Sequence, residues 1–387
     1  MAVDIEALAP LSDAPSGVAL QTIRVWMLHL LCFVLPITCV VFAVTAPHPW
    51  YGAWPWLLVI IVSIALDMRS PDEHRQPLPT LPGWPFDGVL YALAALQLVN
   101  VALVVRLVAT GGLFTADTAV GLVLAGVSSG YSGIVIAHEL IHRSKPHLQQ
   151  LGRVLLCTVL YEHFFTEHVR GHHMRVGTAD DPATARFGER SDRFFFRTVP
   201  AQFRSAWRLE TKRLGDTAMR WVDPRLLRSR VVHGLVVEWS VALGILALLG
   251  PGAFVAYLVQ ALIAVRLLEA VNYFEHWGLA RSARRVGVDD SWDTDSWFTL
   301  YTLVGLSRHA DHHAHAARPY QQLRYFDASP KLPYGYFGSV VLALFWGRRL
   351  QTLLTNELSR RRLGPFAECP APDAVASAAA TAQLGVG

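Results

Sequence analysis

The sequence predicts an all-α integral membrane protein, and three observations lead to that fold class. Of its 387 residues, 52% are hydrophobic and only 17% are charged, whereas soluble domains carry roughly 25% charged residues. Apolar stretches of about 20 residues, the length that crosses a bilayer core, recur along the chain. The four cysteines are scattered without a C-x-x-C pair, which excludes a disulfide framework and a cysteine-bound zinc or iron–sulfur site.

Hydropathy predicts six membrane spans. In chain order they are Arg24–Ala46, Trp50–Met68, Phe86–Ala109, Phe114–Ala137, Val231–Leu249 and Gly252–Val271. The apolar segment Gly335–Trp346 is too short to cross a bilayer, and we expect it to be buried or interfacial. Residues 1–21 and 366–387 are expected to be disordered tails, which leaves residues 22–365 as one membrane domain.

Lysine and arginine occur only in alternate connections, and this pattern predicts the orientation. The connections rich in these residues are 68–87, 143–230 and 281–362, and those without them are 46–49, 111–112 and 250–251. By the positive-inside rule, the long connections and both termini lie in the cytoplasm. The net charge is only +4, and no basic helix or aromatic platform suggests nucleic-acid binding.

Each of the last two predicted spans has a charged residue well inside it. Glu238 lies in the fifth span and Arg266 lies in the sixth. Charged side chains are costly inside a bilayer and are usually paired there. We therefore expect these two side chains to form an ion pair across the hairpin.

Histidines are concentrated in four motifs at the predicted cytoplasmic ends of the spans. The motifs are HELIH, EHVRGHH, NYFEHWG and RHADHH, and their nine candidate ligands are His138, His142, His168, His172, His173, His276, His309, His312 and His313. Residues three or four apart share one face of a helix, so each spacing can present two imidazoles to one metal. An adjacent pair diverges by about 100°, and can serve two metals or opposite sides of one centre.

The number of histidines decides between one metal and two. HELIH alone matches the zinc-protease signature, in which Glu139 would be the general base. Zinc takes three or four ligands, so an intramembrane protease would leave seven of the nine histidines unexplained. A non-catalytic scaffold does not explain their concentration either. Two metals account for them better, although imidazole binds several transition metals and does not identify the ion.

The four motifs, in this order, resemble those of the membrane alkane 1-monooxygenases, which are related to xylene monooxygenases and belong to the histidine-box desaturase and hydroxylase superfamily. The resemblance covers roughly residues 24–349, and the NYFEHWG element carries much of the discrimination. It implies six transmembrane helices and a cytoplasmic helical cap holding two non-haem irons on the nine histidines. Carboxylates beside those histidines are candidates for orienting them, namely Glu139, Glu167, Glu275 and Asp311.

The resemblance also implies an activity. The expected reaction is O2-dependent hydroxylation of a terminal or benzylic methyl group, most simply of an n-alkane to a 1-alkanol, in a bacterial inner membrane. A fatty-acyl or lipid desaturase or hydroxylase of the same superfamily is the alternative. The sequence contains no motif for a bound flavin or nicotinamide. A separate electron carrier is therefore expected, and the resemblance implies rubredoxin or ferredoxin, reduced by an NAD(P)H-dependent reductase.

The connection from Arg186 to Arg230 is rich in arginine. Two interpretations of these charges stay open. They can form a docking surface for an acidic electron carrier, or they can contact anionic lipid headgroups and set the topology.

Overall fold

The computed structural model describes residues 15–78, 81–281 and 283–367, and within these ranges it contains no β-strand. The helices are α1 (Pro15–His29), α2 (Val34–Thr45), α3 (Trp50–Ala53), α4 (Leu58–Asp67), α5 (Trp84–Gly111), α6 (Ala116–Ser128), α7 (Ile136–Ile141), α8 (Pro146–Cys157), α9 (His163–Glu167), α10 (His173–Arg175), α11 (Ser191–Arg213), α12 (Arg230–His276), α13 (Trp297–Thr302), α14 (His309–Ala314), α15 (Tyr336–Phe345) and α16 (Gly347–Arg361). The all-α prediction is confirmed for these residues. Most of the two expected tails lies outside the described ranges, but residues 15–21 are helical rather than part of a tail.

Among the residues that the structure describes, five helical stretches are long and apolar enough to cross a membrane. They are Val18–Thr45, Trp50–Asp67, Trp84–Gly111, Ala116–Ile141 and Arg230–His276. At about 1.5 Å of rise per residue, the shortest, with 18 residues, reaches roughly the thickness of a bilayer core. The first four match the predicted spans to within a few residues, except that the first begins six residues earlier.

The fifth stretch, α12, contains a sharp break. Gly250 has φ 86° and ψ 176°, and Pro251 follows it inside the 47-residue helix. Glycine tolerates this left-handed φ, and proline has no backbone N–H to donate to the regular helical hydrogen bond at that point. The two parts on either side of Gly250 correspond to the fifth and sixth predicted spans. The count of six spans stays a prediction.

Helix α15 is the short apolar segment that we expected near Gly335. It has ten residues, and the side chains of Tyr336 and Leu342 are buried. Helix α16 follows it and packs through Leu350, Leu354 and Leu358, whose spacing of four residues forms one apolar stripe. Both helices pack into the main apolar core, which also contains the end of α12 and the segments that carry the histidine motifs.

The expected ion pair between Glu238 and Arg266 is wrong. The Glu238 carboxylate accepts a hydrogen bond from the backbone N–H of Glu162 at 2.6 Å. The Arg266 guanidinium donates to Ser191 Oγ at 3.2 Å and lies 5.1 Å from the centre of the Phe195 ring. Each charged group has a polar partner on another segment that packs against α12, and the two groups do not pair with each other.

Candidate metal centre

All nine histidines of the four motifs come together at one end of the helix bundle. They lie on α7 and the residue after it, around α9 and α10, at the end of α12, and on α14. Seven of the nine histidines are buried, and the other two, His142 and His173, are partly exposed. Four segments that are distant in sequence therefore converge on one cluster of imidazoles.

Five of these histidines form the first group. Their ligand atoms all lie within 4.8 Å of one another, and they are His138, His142, His168, His173 and His312. The rings come from three motifs. The ring centres of His138 and His168 lie 4.6 Å apart, and those of His142 and His312 are separated by the same distance. The expectation that His138 and His142 share a face is confirmed, because both belong to this group.

The remaining four histidines form an adjoining second region. His172, His276 and His313 make one set, and Glu275, His276 and His309 make another. His276 belongs to both sets and therefore links them. Its Nε2 lies 3.3 Å from Nε2 of His309, which in turn lies 3.0 Å from Nε2 of His313.

A π-helical turn decides which histidines of the second motif share a group. Residues His168–His172 form this turn, in which the backbone N–H of His173 donates to the carbonyl oxygen of His168, five residues earlier. The wider turn puts His168 and His173 on one face, with their Nε2 atoms 3.0 Å apart, and turns His172 toward the other group. The H-x-x-x-H spacing allows His168 and His172 to face one metal, but in the structure they lie in different groups. The expectation that adjacent His172 and His173 can serve different metals is consistent with the geometry.

A second π-helical turn, Ser129–Val135, precedes the first motif within the same span. Polar side chains from neighbouring helices hold it inside the bundle. Gln97 Nε2 donates to Ser129 Oγ at 3.0 Å, and Ser129 Oγ donates to Gln260 Oε1 at 2.7 Å. These bonds link α5, the π-helical turn and α12 inside the bundle, as polar side chains commonly do between membrane helices. Single π turns inside α-helices occur frequently at functional sites.

Helix α14 divides its three histidines between the two groups. His309 and His313 are four residues apart and face the second region, whereas His312 faces the first group. The Asp293 carboxylate accepts from the backbone N–H of Ala310 at 2.7 Å. This bond fixes the N-terminus of α14, where the backbone N–H groups lack partners within the helix.

The cluster is suited to holding metal ions. Burial lowers the pKa of His168, His173, His309, His312 and His313 well below the ordinary histidine value, and the neighbouring imidazoles lower it further. These side chains are therefore neutral at physiological pH, which is the form that binds metals. In addition, four of the nine candidate ligands have a buried Nε2 atom without a hydrogen-bond partner, namely His138, His142, His172 and His312. Buried polar atoms are rarely left unpaired, so these nitrogens fit the role of metal ligands.

Asp181 orients one of the imidazoles, and the sequence analysis missed it. Its Oδ2 lies 2.9 Å from His172 Nδ1 and accepts from Thr184 Oγ1 at 2.6 Å. Burial is the largest single effect and raises the pKa of Asp181, but His172, the Thr184 hydroxyl and His276 together lower it below the ordinary value. A carboxylate on Nδ1 leaves Nε2 free to face a metal. The available signal was the acidic pair at positions 180 and 181, shortly after the second motif.

Three of the four predicted orienting carboxylates contact arginines instead of candidate ligands. Glu139 Oε1 lies 2.8 Å from Arg143, and Glu167 Oε1 lies 2.8 Å from Arg175. Asp311 contacts Arg318 and His315. Adjacent residues on a helix point in directions about 100° apart, so these carboxylates face away from the imidazoles beside them. For these three residues, the expected direct contact with a candidate ligand is absent.

Glu275 is placed differently. Its Oε2 lies 3.3 Å from His309 Nε2, and its Oε1 accepts from Tyr336 O–H at 2.6 Å. It also belongs to a set of potential ligand atoms with His276 and His309. Glu275 can thus orient His309, as expected, or ligate a metal itself.

The histidines that we left out of the predicted ligand set have other contacts. His315 contacts Asp311, His48 contacts Asp117, and His74 contacts Asp295. His163 packs against the rings of Tyr161 and Phe203. None of these four is in a potential metal-binding group of the described residues.

The comparisons with known proteins agree with this site. The fatty acid desaturase family model matches residues 116–342, a range that includes all nine histidines. The chain is 37% identical to alkane 1-monooxygenase 1 of Pseudomonas aeruginosa over 84% of this chain and 88% of the relative. It is 35% identical to alkane 1-monooxygenase 2 of the same organism, over 76% and 81% of the two chains. It is 32% identical to alkane 1-monooxygenase 2 of Alcanivorax borkumensis, over 75% and 79%. This chain therefore belongs to the alkane 1-monooxygenase family, a family of membrane oxidoreductases within the fatty acid desaturase superfamily.

Proposed function

We propose that this protein hydroxylates the terminal methyl group of an n-alkane at a centre of two non-haem iron ions. The single observation that carries the proposal is the pair of adjoining groups of imidazoles at one end of an apolar helix bundle. The relatives named alkane 1-monooxygenase support the choice of substrate. The overall reaction is R–CH3 + O2 + 2e⁻ + 2H⁺ → R–CH2OH + H2O, and it consumes both atoms of O2.

The proposed ligand sets follow the two groups. One iron would be held by His138, His142, His168, His173 and His312, and the other by His172, His276, His309 and His313, with Glu275 in reach. Iron bound there would supply the oxidising power from O2 that an unactivated C–H bond requires, since acid–base groups have nothing to polarise in an alkane.

The protein's own residues position the ligands and exclude water. Asp181 holds His172 through Nδ1, and the Phe164 ring stacks on His168 with the ring centres 4.6 Å apart. Tyr336 fixes Glu275, which lies beside His309. Because these groups are buried in the main apolar core, bulk water has little access to the reacting atoms, as oxidation of a hydrocarbon requires.

The reaction needs two electrons, which we propose come from rubredoxin or ferredoxin with its NAD(P)H-dependent reductase. In the described part of the chain the cysteines are Cys32, Cys39 and Cys157, all buried free thiols. They are too far apart in sequence to suggest an iron–sulfur site. We further propose that the protein lies in the bacterial inner membrane with its metal centre and both termini on the cytoplasmic side, where such carriers are available.

Product analysis with isotopically labelled oxygen tests the proposal. Purified protein in nanodiscs, supplied with rubredoxin, its reductase, NADH and ¹⁸O2, should convert an n-alkane to a 1-alkanol that carries ¹⁸O. The match to the fatty acid desaturase model makes a desaturase the second candidate. A desaturase would yield an unsaturated product without ¹⁸O, and that result would overturn the proposed hydroxylation.

The zinc-protease interpretation of HELIH has a separate test. Glu139, its required general base, is engaged by Arg143 and by the backbone N–H of Tyr320. Under the proposed function, the Glu139→Gln variant should still bind metal at the second region, and neither protein should cleave peptides. Peptide cleavage by the unmodified protein that is lost in Glu139→Gln would support the protease.

A further inference from the structure

A groove lies between α11 and the start of α12, away from the histidine cluster. It encloses about 790 Å³, and its lining is mostly apolar, with Phe203 and Trp207 from α11, Trp221 and Leu227 from the connection, and Leu235 from α12. The groove is held in shape at one end, because Glu210 near the end of α11 accepts from the backbone N–H of Arg230 at 2.9 Å. It is therefore a formed feature of the fold.

The rim of the groove exposes large apolar side chains. The exposed fraction is 89% for Trp221, 80% for Val222 and 75% for Leu227. Such a patch in contact with water would be unfavourable, and exposed apolar patches usually mark a partner surface or a membrane. The position of this patch favours the membrane, because α12, which lines the groove through Val232 and Leu235, is one of the membrane-spanning candidates.

Two arginines line the same groove without neutralising partners. Among the described residues, neither Arg204 nor Arg208 forms an ion pair with a carboxylate, and Arg204 Nε donates only to the Pro200 carbonyl oxygen at 3.0 Å. The one acidic residue of the lining, Asp223, is engaged by Arg225 at 2.7 Å. The groove thus combines an apolar floor with unpaired positive charge.

We propose that this groove binds an anionic phospholipid. Its acyl chain lies against Phe203, Trp207 and Leu235, and Arg204 and Arg208 bind its phosphate. Trp221 and Val222 insert beside it at the level of the headgroups, where tryptophan side chains are favoured. An acidic electron carrier would complement the arginines equally well, but its polar surface would leave the apolar floor and rim without a partner. The structure therefore assigns this part of the arginine-rich connection to the lipid surface.

Lipid contact can be measured with a fluorescent label at the rim. Val222→Cys would be labelled with an environment-sensitive dye, in a background where Cys369 is replaced by serine, since Cys32, Cys39 and Cys157 are buried. In nanodiscs without any carrier protein, we expect the emission to shift to the blue and to be quenched by spin-labelled lipid. A label on Ser359→Cys, at an exposed position of the polar helix α16, should show neither effect. The opposite result is an emission at position 222 that is typical of an aqueous environment until an acidic carrier is added. The groove would then be a carrier-docking surface, and the proposal would fail.

Selectivity for anionic lipid is tested by native mass spectrometry of the full chain with phosphatidylglycerol and phosphatidylcholine. The Arg204→Gln/Arg208→Gln variant should bind phosphatidylglycerol roughly 30-fold more weakly, since each arginine near a lipid surface contributes about a fivefold factor. Arg193→Gln, an exposed arginine of α11 that does not line the groove, should bind as the unmodified protein does. Equal loss in both variants, or no preference for phosphatidylglycerol, would overturn the assignment. Neither readout depends on hydroxylase activity, so the outcome is independent of the proposed function.

Discussion

Asp181 shows how a single buried residue can control the candidate metal centre. Its carboxylate holds Nδ1 of His172 and is itself fixed by the Thr184 hydroxyl. Partners of this kind set the tautomer and the orientation of a ligand imidazole, and their loss typically lowers metal affinity or activity. The neighbouring Asp180 is exposed, so the adjacent pair provides a matched comparison.

Asp181→Asn should reduce iron content or alkane hydroxylation by roughly 10- to 100-fold. The amide can donate to Nδ1 and so favour the tautomer with its proton on Nε2, which cannot bind a metal. Iron content and turnover would be measured together, and the thermal unfolding temperature would show that the fold is retained. Asp180→Asn is the control and should behave as the unmodified protein. Equal values for both variants would show that Asp181 has no role at the centre.

The sequence made the candidate ligands easier to find than their partners. Imidazoles such as His138 and His312 stand in motifs of recognisable spacing, whereas Asp181 reaches His172 from a connection without regular structure. Glu139 follows a candidate ligand in the sequence but contacts Arg143, because adjacent residues on a helix point in different directions. Contacts between a motif and a loop depend on tertiary structure, and no local spacing encodes them.

At the scale of elements, the two π-helical turns are the features that the sequence did not predict. Regular helical periodicity groups His168 with His172, whereas the turn over His168–His172 groups His168 with His173. The helices themselves were predictable, because their apolar stretches are long and end at glycine, proline or charged residues. A π turn differs from an α turn by one inserted residue, and hydropathy does not detect so small a change.

Removal of one residue from the Ser129–Val135 turn should disconnect the first motif from the centre. Deletion of Gly130 would restore α-helical geometry and rotate His138 and His142 by about 100° relative to the bundle. We expect the helix content, followed by circular dichroism, to be retained and metal binding by the first group to be lost. Gly130→Ala, which keeps the residue count, should retain the metal. Undiminished metal content in the deletion variant would show that the π turn does not set the position of these ligands.

Close packing between α6 and α12 depends on Gly126. A Cβ atom there would lie 2.6 Å from Cβ of Ile263, and small residues at such contacts let membrane helices approach closely. Gly126→Ala should lower the free energy of unfolding by about 1–3 kcal/mol, measured as a lower thermal unfolding temperature in detergent. At Gly88 of α5 a Cβ atom would meet nothing within 4 Å. Gly88→Ala should therefore be neutral or slightly stabilising, and an equal effect of the two changes would contradict the packing argument.

On the scale of the whole molecule, the bundle joins an apolar exterior to a cluster of buried imidazoles at one end. Under the proposed function, the hydrocarbon substrate dissolves in the bilayer, whereas electrons and protons arrive from water. Because the imidazoles lie at the ends of membrane helices, one site can receive the substrate from the bilayer and the electrons and protons from water. The overall class and the approximate spans were predictable from composition. The groove between α11 and the start of α12 was not predictable, because it is formed by residues of α11, the connection and α12 that are separate in sequence.

The proposed orientation can be tested by labelling cells from outside. Phe114 is 98% exposed in the connection between α5 and α6, on the side opposite the histidines in the predicted topology. In the Cys369→Ser background, Phe114→Cys should react with a membrane-impermeant maleimide in spheroplasts. Ser359→Cys should react only after the membrane is broken. The reverse pattern would place the metal centre outside the cytoplasm and exclude a cytoplasmic electron carrier.

The central claim is a centre of two irons, and metal analysis of the purified protein tests it most directly. We would compare the unmodified protein with His312→Ala and with His147→Ala, an exposed histidine outside the potential metal-binding groups. The predicted result is close to two irons per chain in the unmodified protein and in His147→Ala, with a sharp loss in His312→Ala. A content of one zinc per chain that is unaffected by His312→Ala would contradict the account.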